Sequence, residues 1–270
     1  MKRSSNREAR RAGGITHPPL RVRLFSVWFR HVRVYSQNLI SNGLPPFLEP
    51  LLFLVGIGIG LGKYITRMEG IPFIEFLGSG LMVTAAMFTA AFECSFGTYI
   101  RLEFDKVYDG MLAAPVTAEN LLVGELIWAG TKGFFFTLCV MIVVTAFGIL
   151  PIGKVFPTPI LGFLTGAMFG SLSFLVTSFV KNLNHFNFYF SGFISPMFFF
   201  GGVVFPIEQL PDWLRPVTEI LPLTHPVRLT RAFAFGNFEL IHLFDFLYLI
   251  VFTVAIGALG VYRLKKKLID

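Results

Sequence analysis

Glu125 and Lys132 are the charged residues with the most informative spacing in an otherwise apolar part of the sequence. They stand seven positions apart, so a helix would carry both on one face, about two turns from each other. Charges buried in a bilayer are costly and usually functional, so one hypothesis is that the pair lines a path for a transported molecule. The alternative is that this helix begins in the cytosol and that Lys132 reaches the inner headgroups.

Glu239, His242 and Asp245 form a second pattern, because a spacing of three on a helix is compatible with metal binding. We predict no metal there, since a helix that enters the outer interface at this point carries polar residues without any special reason. The remainder of the sequence shows no arrangement of Ser, His and Asp that indicates a nucleophile.

Four glycines at alternate positions, Gly56 to Gly62, superficially suggest a nucleotide-binding loop. They lie inside an apolar stretch, where Gly56/Gly60 and Gly58/Gly62 are pairs that allow close helix packing. The same spacing recurs at Gly162, Gly166 and Gly170. Because Gly62-Lys63 is followed by Tyr64, and Ile57 stands where a glycine is required, the chain also lacks a phosphate-binding loop.

The composition shows which elements must position these residues. Hydrophobic residues make up 54% of the 270 residues and charged residues 14%, and the mean hydropathy is +0.68. An average globular chain is about 25% charged. This composition excludes a soluble enzyme, a nucleic-acid-binding domain and a disordered protein, and it indicates an all-α polytopic membrane protein.

The net charge of +7 is concentrated at the two ends of the chain. Nine of the 23 Lys and Arg residues precede residue 34, and four more close the chain. This distribution is typical of cytoplasmic flanks that contact anionic membrane lipids, so we expect no nucleic-acid partner. Cys94 and Cys139 lie in apolar stretches, which argues against a disulfide framework or a cysteine metal site.

Six apolar stretches approach the length of about 20 residues that a membrane span needs. They are residues 44–62, 73–92, 121–150, 157–180, 185–205 and 240–262, within a transmembrane domain over 43–265. With both termini inside, the inner segments hold sixteen basic residues and the outer loops six. We therefore predict cytoplasmic termini.

The first 42 residues divide into two parts. Residues 1–19 read as a basic cytoplasmic tail, without the apolar core of a cleavable signal peptide; a transit peptide is the alternative. Residues 20–42 predict an amphipathic interfacial helix that carries Arg23, Arg30 and Arg33 on one face. An ordinary cytosolic helix is the alternative.

Two connecting segments are unusually apolar. The inner loop, residues 98–120, contains Leu102, Phe104, Val107, Tyr108, Met111 and Leu112, and such a loop requires a partner surface. We expect a tight turn at Gly110 and a helix N-cap at Thr117. The second segment, residues 206–239, carries prolines at 206, 211, 216, 222 and 226. It predicts short re-entrant or interfacial helices that form an outer gate.

Both segments resemble the type-2 ABC exporter permeases, and are most similar to the nodulation-factor (NodJ-like) branch. The inner motif is Tyr108-Asp-Gly-Met-Leu-Ala-Ala-Pro-Val-Thr117, followed by Gly124-Glu-Leu-Ile-Trp-Ala-Gly-Thr-Lys132. The outer motif is Gly202-Val-Val-Phe-Pro-Ile-Glu-Gln-Leu-Pro211, followed by Leu221-Pro-Leu-Thr-His225 and Arg228. The resemblance extends over about residues 20–265.

The resemblance implies a multi-pass permease subunit in the cytoplasmic membrane of a bacterium. A homodimer of this chain would work with two copies of a separate ABC ATPase, which binds ATP and Mg²⁺, while the chain itself binds no cofactor and is no enzyme. The substrate moved outward would be amphipathic, such as a lipid-linked or acylated oligosaccharide, a polysaccharide, a lipid or a drug. The alternatives are a membrane-embedded lipid- or glycan-modifying enzyme and a passive structural membrane protein.

The resemblance also implies roles for particular residues. Coupling to the ATPase is expected from Arg101, Glu103, Asp105, Lys106, Tyr108, Asp109, Leu112 and Pro115. The candidate transport path includes Glu125, Lys132, Phe198, Phe199 and Phe200; the alternative for the three phenylalanines is contact with lipid. The expected outer gate includes Pro206, Pro211, Trp213, Pro222 and His225.

Overall fold

A computed structural model describes residues 18–269, so the predicted tail over residues 1–19 lies almost wholly outside the described part. The first helices are α1 (Leu20–Gln37) and α2 (Leu39–Phe53), which continues through Leu54–Ile59 and Gly60–Gly62. A two-stranded hairpin of β1 (Arg67–Met68) and β2 (Ile71–Pro72) follows, with Met68 opposite Ile71. Apart from this hairpin, the regular elements in residues 18–269 are helices.

The remaining helices follow in sequence order, with bounds that differ in places from the predicted ones. They are α3 (Phe73–Phe92), α4 (Val107–Leu112), α5 (Ala118–Ala146), α6 (Ile152–Val155), α7 (Thr158–Phe179), α8 (His185–Tyr189), α9 (Ser195–Phe200), α10 (Arg215–Ile220), α11 (Thr224–Phe235) and α12 (Leu240–Ile269).

Four helical stretches in residues 18–269 are long and apolar enough to cross a membrane. They are Phe73–Phe104, Ala118–Ala146, Ile152–Phe179 and Leu240–Ile269. The two other predicted spans are also helical, but they are shorter: Pro50–Gly62 forms the apolar part of the first, and the second ends at Phe200 rather than at residue 205. The fold is therefore all-α, and residues 18–269 include four helices of clear membrane-spanning length.

Helix α5 lies at the centre of the bundle and packs against α3, α7 and α1. Its contact with α7 depends on glycines: a Cβ added at Gly133 would lie 2.3 Å from the carbonyl oxygen of Gly162, and one at Gly166 would lie 2.6 Å from that of Ala129. The predicted packing role of the α7 glycines is thus confirmed. In the run from Gly56 to Gly62, a Cβ added at Gly58 would lie within 4 Å of Ile74 and Leu77, and a Cβ added at any of the other three glycines would have nothing within 4 Å.

Four π-helical turns interrupt the described helices, at Leu54–Ile59, Glu93–Gly97, Ile100–Phe104 and Phe190–Ile194. Two of them extend α3, and the fourth joins α8 to α9. A π turn changes the side of the helix on which the following residues lie, and such turns are frequent at functional sites.

Residues 206–239, here called the proline-rich segment, form short helices as the prolines predict. A 3₁₀ turn at Ile207–Gln209 precedes α10 and α11, and α11 ends at Gly236 in a left-handed conformation. Helix α11 packs on α12 and α3. This packing places the proline-rich segment against one end of α12.

Candidate functional site

Charged and polar side chains from α1, α3 and its extension, α4 and α5 meet inside the bundle. This set, here called the inner network, consists of His31, Glu93, Thr98, Arg101, Tyr108, Glu125 and Lys132. His31, Thr98, Tyr108, Glu125 and Lys132 are buried. A buried charge without a partner destabilises a protein, so the hydrogen bonds and ion pairs between these side chains are needed to keep them buried.

Glu93 accepts hydrogen bonds from two cations. Lys132 Nζ lies 2.9 Å from Glu93 Oε2, and Arg101 Nη1 lies 2.7 Å from Glu93 Oε1. The ammonium group of Lys132 also lies over the ring of Tyr35, 4.8 Å from its centroid. Lys132 is thus held by a carboxylate and an aromatic face, which compensates for its removal from water.

Glu125 is surrounded by donors. Tyr108 Oη donates to Glu125 Oε2 over 2.6 Å, Thr98 Oγ1 donates to the same oxygen over 3.2 Å, and Arg101 Nε lies 3.2 Å from Glu125 Oε1. His31 Nε2 is also 3.2 Å from Oε1. Burial and the adjacent Glu125 raise the pKa of the Tyr108 hydroxyl, so that it remains a donor.

Backbone geometry brings these residues together. The two π turns after α3 place Glu93 and Arg101, eight residues apart, within hydrogen-bonding distance. Lys106 then adopts φ 50°, and this left-handed residue reverses the chain so that α4 can carry Tyr108 back to Glu125. The tight turn expected at Gly110 is therefore at Lys106 instead, because Gly110 lies inside α4.

Helix α1 is docked on α5. Val27 fills the space above Gly124, where an added Cβ would lie 2.7 Å from the Val27 side chain. Trp28 Nε1 donates to Thr131 Oγ1 over 3.0 Å. His31 stacks on Trp128 with ring centroids 5.8 Å apart. This docking is what places His31 beside Glu125.

A cavity of about 800 Å³ opens beside the inner network, which is within the usual size range of ligand sites. Arg30, Glu93, Arg101 and Lys132 are among the charged residues of its lining. Its aromatic lining consists of Tyr35, Phe88, Phe92, Trp128 and Phe190. The lining of the cavity therefore combines charged and aromatic side chains.

The structure separates the predicted coupling residues into two groups. Arg101 and Tyr108 belong to the inner network, so Tyr108 is not free to fill a groove on another protein. Asp105, Lys106, Asp109 and Pro115 are exposed, and Leu112 is half-buried. Glu103 lies 3.3 Å from Lys267 of α12.

The residues predicted for the transport path also differ in their surroundings. Lys132 bonds to Glu93, and Glu125 bonds to Arg101, so the pair is connected through Glu93 and Arg101. Phe198 is buried against Phe53 and Phe88, whereas Phe199 and Phe200 are exposed. Sequence reasoning missed Glu93 and His31 as members of this set; the signal for Glu93 was a single acid directly after an apolar stretch.

The predicted gate residues lie in the proline-rich segment, which packs near the N-terminal end of α12, far from Lys267. Pro206, Pro222 and His225 are buried, and Pro211 and Trp213 are exposed. His225 Nδ1 lies 2.7 Å from Asp245 Oδ1. Asp245 is therefore bonded to a histidine of α11, while His242 accepts a hydrogen bond from the backbone N–H of Glu239 over 2.8 Å. Within residues 18–269 no three His, Cys, Asp or Glu side chains are grouped as metal ligands.

Comparison with known proteins gives a consistent result. The family model described as ABC-2 type transporter matches residues 22–235. Nodulation protein J of Sinorhizobium fredii is 34% identical over 207 residues, which cover 76% of this chain and 79% of that protein. Nodulation protein J of Rhizobium meliloti is 33% identical over 218 residues, covering 80% and 82%. The inner membrane transport permease YadH of Escherichia coli is 20% identical over 234 residues, covering 87% and 91%.

Proposed function

The chain belongs to the ABC-2 type transporter family, and from this premise we propose that it is the membrane-spanning subunit of an ATP-driven exporter. The proposed complex contains two copies of this chain and two copies of a separate ABC ATPase, in the cytoplasmic membrane of a bacterium. A relative that carries the name inner membrane transport permease supports the transport role. The absence of a phosphate-binding loop from the sequence supports the separate ATPase.

The proposed topology has six crossings with both termini in the cytoplasm. Four would be the long apolar helices, and the other two would be Leu39–Gly62 and His185–Phe200, which are shorter. The excess of basic residues in the segments assigned to the inside supports this orientation. The proline-rich segment then faces outward and forms the gate.

The inner network is the observation that carries the coupling part of the proposal. The loop that contains α4 would contact the ATPase through its exposed residues, among them Phe104, Asp105, Lys106 and Asp109. Arg101 and Tyr108, in the same loop, bond to Glu93 and Glu125 of the bundle. A displacement of this loop by the ATPase would therefore pull directly on α3 and α5.

The cavity beside the inner network supports an amphipathic substrate. Its charged side chains would bind a polar headgroup, and its aromatic side chains would accept an acyl or prenyl chain or stack on sugar rings. The resemblance of the two motifs to the nodulation-factor branch of permeases supports an acylated oligosaccharide as the substrate. The other substrate classes that we consider are a lipid-linked oligosaccharide, a polysaccharide, a lipid and a drug.

Tyr108→Phe tests the coupling directly, because it removes only the hydroxyl that donates to Glu125. In proteoliposomes that contain this chain and its ATPase, we expect the ATPase to remain bound and transport per ATP hydrolysed to fall about tenfold, the effect of losing one hydrogen bond to a buried charge. Tyr64→Phe, at a residue that is 86% exposed, is the matched control and should leave transport unchanged. Unchanged coupling in Tyr108→Phe, or ATP binding by the purified chain alone, would contradict the proposal.

A further inference from the structure

His225 and Asp245 are the most deeply buried pair of oppositely chargeable groups outside the inner network, within the described residues. Both side chains have 0% exposure. His225 belongs to α11 and Asp245 to α12, so the pair connects the proline-rich segment to the last long helix. Nothing in the proposed coupling mechanism uses it.

Both ring nitrogens of His225 face acceptors. Nδ1 lies 2.7 Å from Asp245 Oδ1, and Nε2 lies 3.1 Å from the backbone carbonyl oxygen of Glu219 in α10. A neutral imidazole carries one N–H and one bare nitrogen. Beside an ionised Asp245 it would therefore leave one of these two contacts between lone pairs.

Two protons shared by the pair satisfy both contacts. In one arrangement His225 is an imidazolium that donates from both nitrogens to an ionised Asp245 and to Glu219. In the other, a protonated Asp245 donates to Nδ1 while Nε2–H donates to Glu219. These arrangements differ only in the position of one proton, so the proton count belongs to the pair.

The charged side chains around His225 and Asp245 also favour two protons on the pair. Arg228 of α11 bonds both Glu219 and Asp245, so the pair shares its surroundings with one cation and one further anion. With two protons on the pair the four side chains are neutral in sum, and with one proton they carry a net negative charge, shared between the buried Asp245 and the partly exposed Glu219. The ring of Tyr248 stacks on His225 at a centroid distance of 3.8 Å, an arrangement that favours a cationic imidazole.

No other charged side chain reaches the pair from the elements packed on α11, as far as residues 18–269 are concerned. Its charged or titratable contacts are Glu219 of α10, Arg228 of α11 and Tyr248 of α12. The hydroxyl of Tyr248 donates elsewhere, to the carbonyl oxygen of Ile220. The pair itself is therefore where a proton can be gained or lost.

We infer that His225 and Asp245 form a buried proton-binding site whose occupied state, with two protons, fastens α10 and α11 to α12. The protonated form is the one that the attached segment requires, so attachment is stabilised at low pH and weakens as the pH rises. In the proposed topology this site lies at the outer end of the protein, where it would respond to the external pH. The inference concerns the isolated chain and can be tested without an ATPase or a substrate.

Asp245→Asn is the decisive variant. An asparagine amide can donate to Nδ1 while a neutral His225 donates from Nε2 to Glu219, so both contacts survive without the second proton. Amide hydrogen exchange of the chain in lipid nanodiscs measures the attachment through the protection factors of α11. Between about pH 6 and about pH 9 we expect these factors to fall at least about tenfold relative to α5 in the parent, and to stay constant in Asp245→Asn.

His242→Asn is the matched control, since His242 is a nearby histidine that contacts Glu239 and not the pair. It should retain the pH dependence of the parent. A parent without pH dependence, or an Asp245→Asn variant that keeps it, would overturn the inference.

A second measurement needs no change in the contacts of the pair and covers the case that Asp245→Asn does not fold. Nitrogen-15 NMR of labelled histidine, assigned with His225→Gln, and infrared spectroscopy of the Asp245 carboxyl group together count the protons at about pH 6. Two protons on the pair support the site. A bare His225 nitrogen beside an ionised carboxylate excludes it.

Discussion

Glu93 is the residue that joins the two permanent cations of the inner network. Arg101 and Lys132 each donate to one of its carboxylate oxygens, at 2.7 Å and 2.9 Å. Arg101 has Glu125 as a second partner, but Lys132 has no other acid among the described contacts. Loss of Glu93 should therefore affect Lys132 more than Arg101, because a buried charge without a partner destabilises a protein strongly.

Glu93→Gln and Lys132→Met should each lower the free energy of unfolding by about 3–5 kcal/mol. The double variant should lose less than the sum of the two, since it leaves no unpaired charge at this position. Thermal unfolding of the purified chain in detergent measures the three values. Lys154→Met, at an exposed lysine, is the control and should change stability by less than about 0.5 kcal/mol. Strict additivity of the two changes would show that the pair does not interact.

At this scale the sequence identified buried charges but not their partners. Glu125 and Lys132 stand out because charges are rare in apolar stretches, and the structure does bury both. They lie on one face of α5, but each bonds to a residue in the extension of α3. Helical spacing specifies neighbours on one helix, but pairing between helices depends on packing that a single sequence does not reveal.

The contact between α5 and α7 shows how an element depends on the absence of side chains. Gly133, Gly162 and Gly166 allow the two backbones to approach so closely that an added Cβ would overlap a carbonyl oxygen or a side chain. The same approach supports the middle of α5, which carries Glu125 and Lys132. The geometry of the inner network therefore depends on glycines that belong to the α5–α7 contact and not to the network itself.

Gly133→Ala should lower the free energy of unfolding by about 1–3 kcal/mol, because α5 and α7 must separate to accept the methyl group. Export in the assembled complex should fall as well, since the separation moves Lys132. Gly153→Ala, where nothing lies within 4 Å, is the matched control and should be neutral. Thermal unfolding and a transport assay provide the readouts, and equal effects of the two substitutions would contradict this account of the helix contact.

Features with a recognisable residue pattern, such as a helix N-cap, could be predicted from the sequence. Local distortions of the backbone could not. Thr117 is the N-cap of α5, as predicted, and its Oγ1 accepts from the backbone N–H of Asn120 over 3.3 Å. The π turns and the left-handed Lys106 have no comparable signature in the residue types. They are conformations in which tertiary contacts override local preference, and for Lys106 and the two π turns after α3 these contacts are those of the inner network.

Two polar clusters in the described part of the chain lie at opposite ends of an apolar bundle. The inner network lies where α1, α4 and α5 meet, and the pair of His225 and Asp245 lies where α11 meets α12. In the proposed topology the first faces the cytoplasm and the second faces outward. If Asp105, near α4, is cytoplasmic like both termini, the chain crosses the membrane an even number of times between Asp105 and either terminus. Between Asp105 and the proline-rich segment, which faces outward, it crosses an odd number of times.

Single cysteines test this arrangement in a chain whose Cys94 and Cys139 are replaced. A charged, membrane-impermeant reagent should label Asp212→Cys in intact cells and Asp105→Cys only after permeabilisation, because both positions are exposed and the proposed topology places them on opposite sides. Leu210→Cys, a buried position two residues from Asp212, should label poorly under either condition. Labelling of Asp105→Cys in intact cells would contradict the proposed orientation.

The four π turns have a consequence for how the chain tolerates changes in length. Each closes over one residue more than an α turn does, so each contains a spare residue. Deleting Gly192 would let Phe190–Ile194 close as an α turn while the flanking residues keep their faces, whereas a deletion within α7 would rotate everything beyond it by about 100°. We therefore expect the Gly192 deletion to insert and fold, and the loss of a single residue from the middle of α7 to abolish folding. Single-residue gaps between this chain and its relatives should accordingly fall at the π turns.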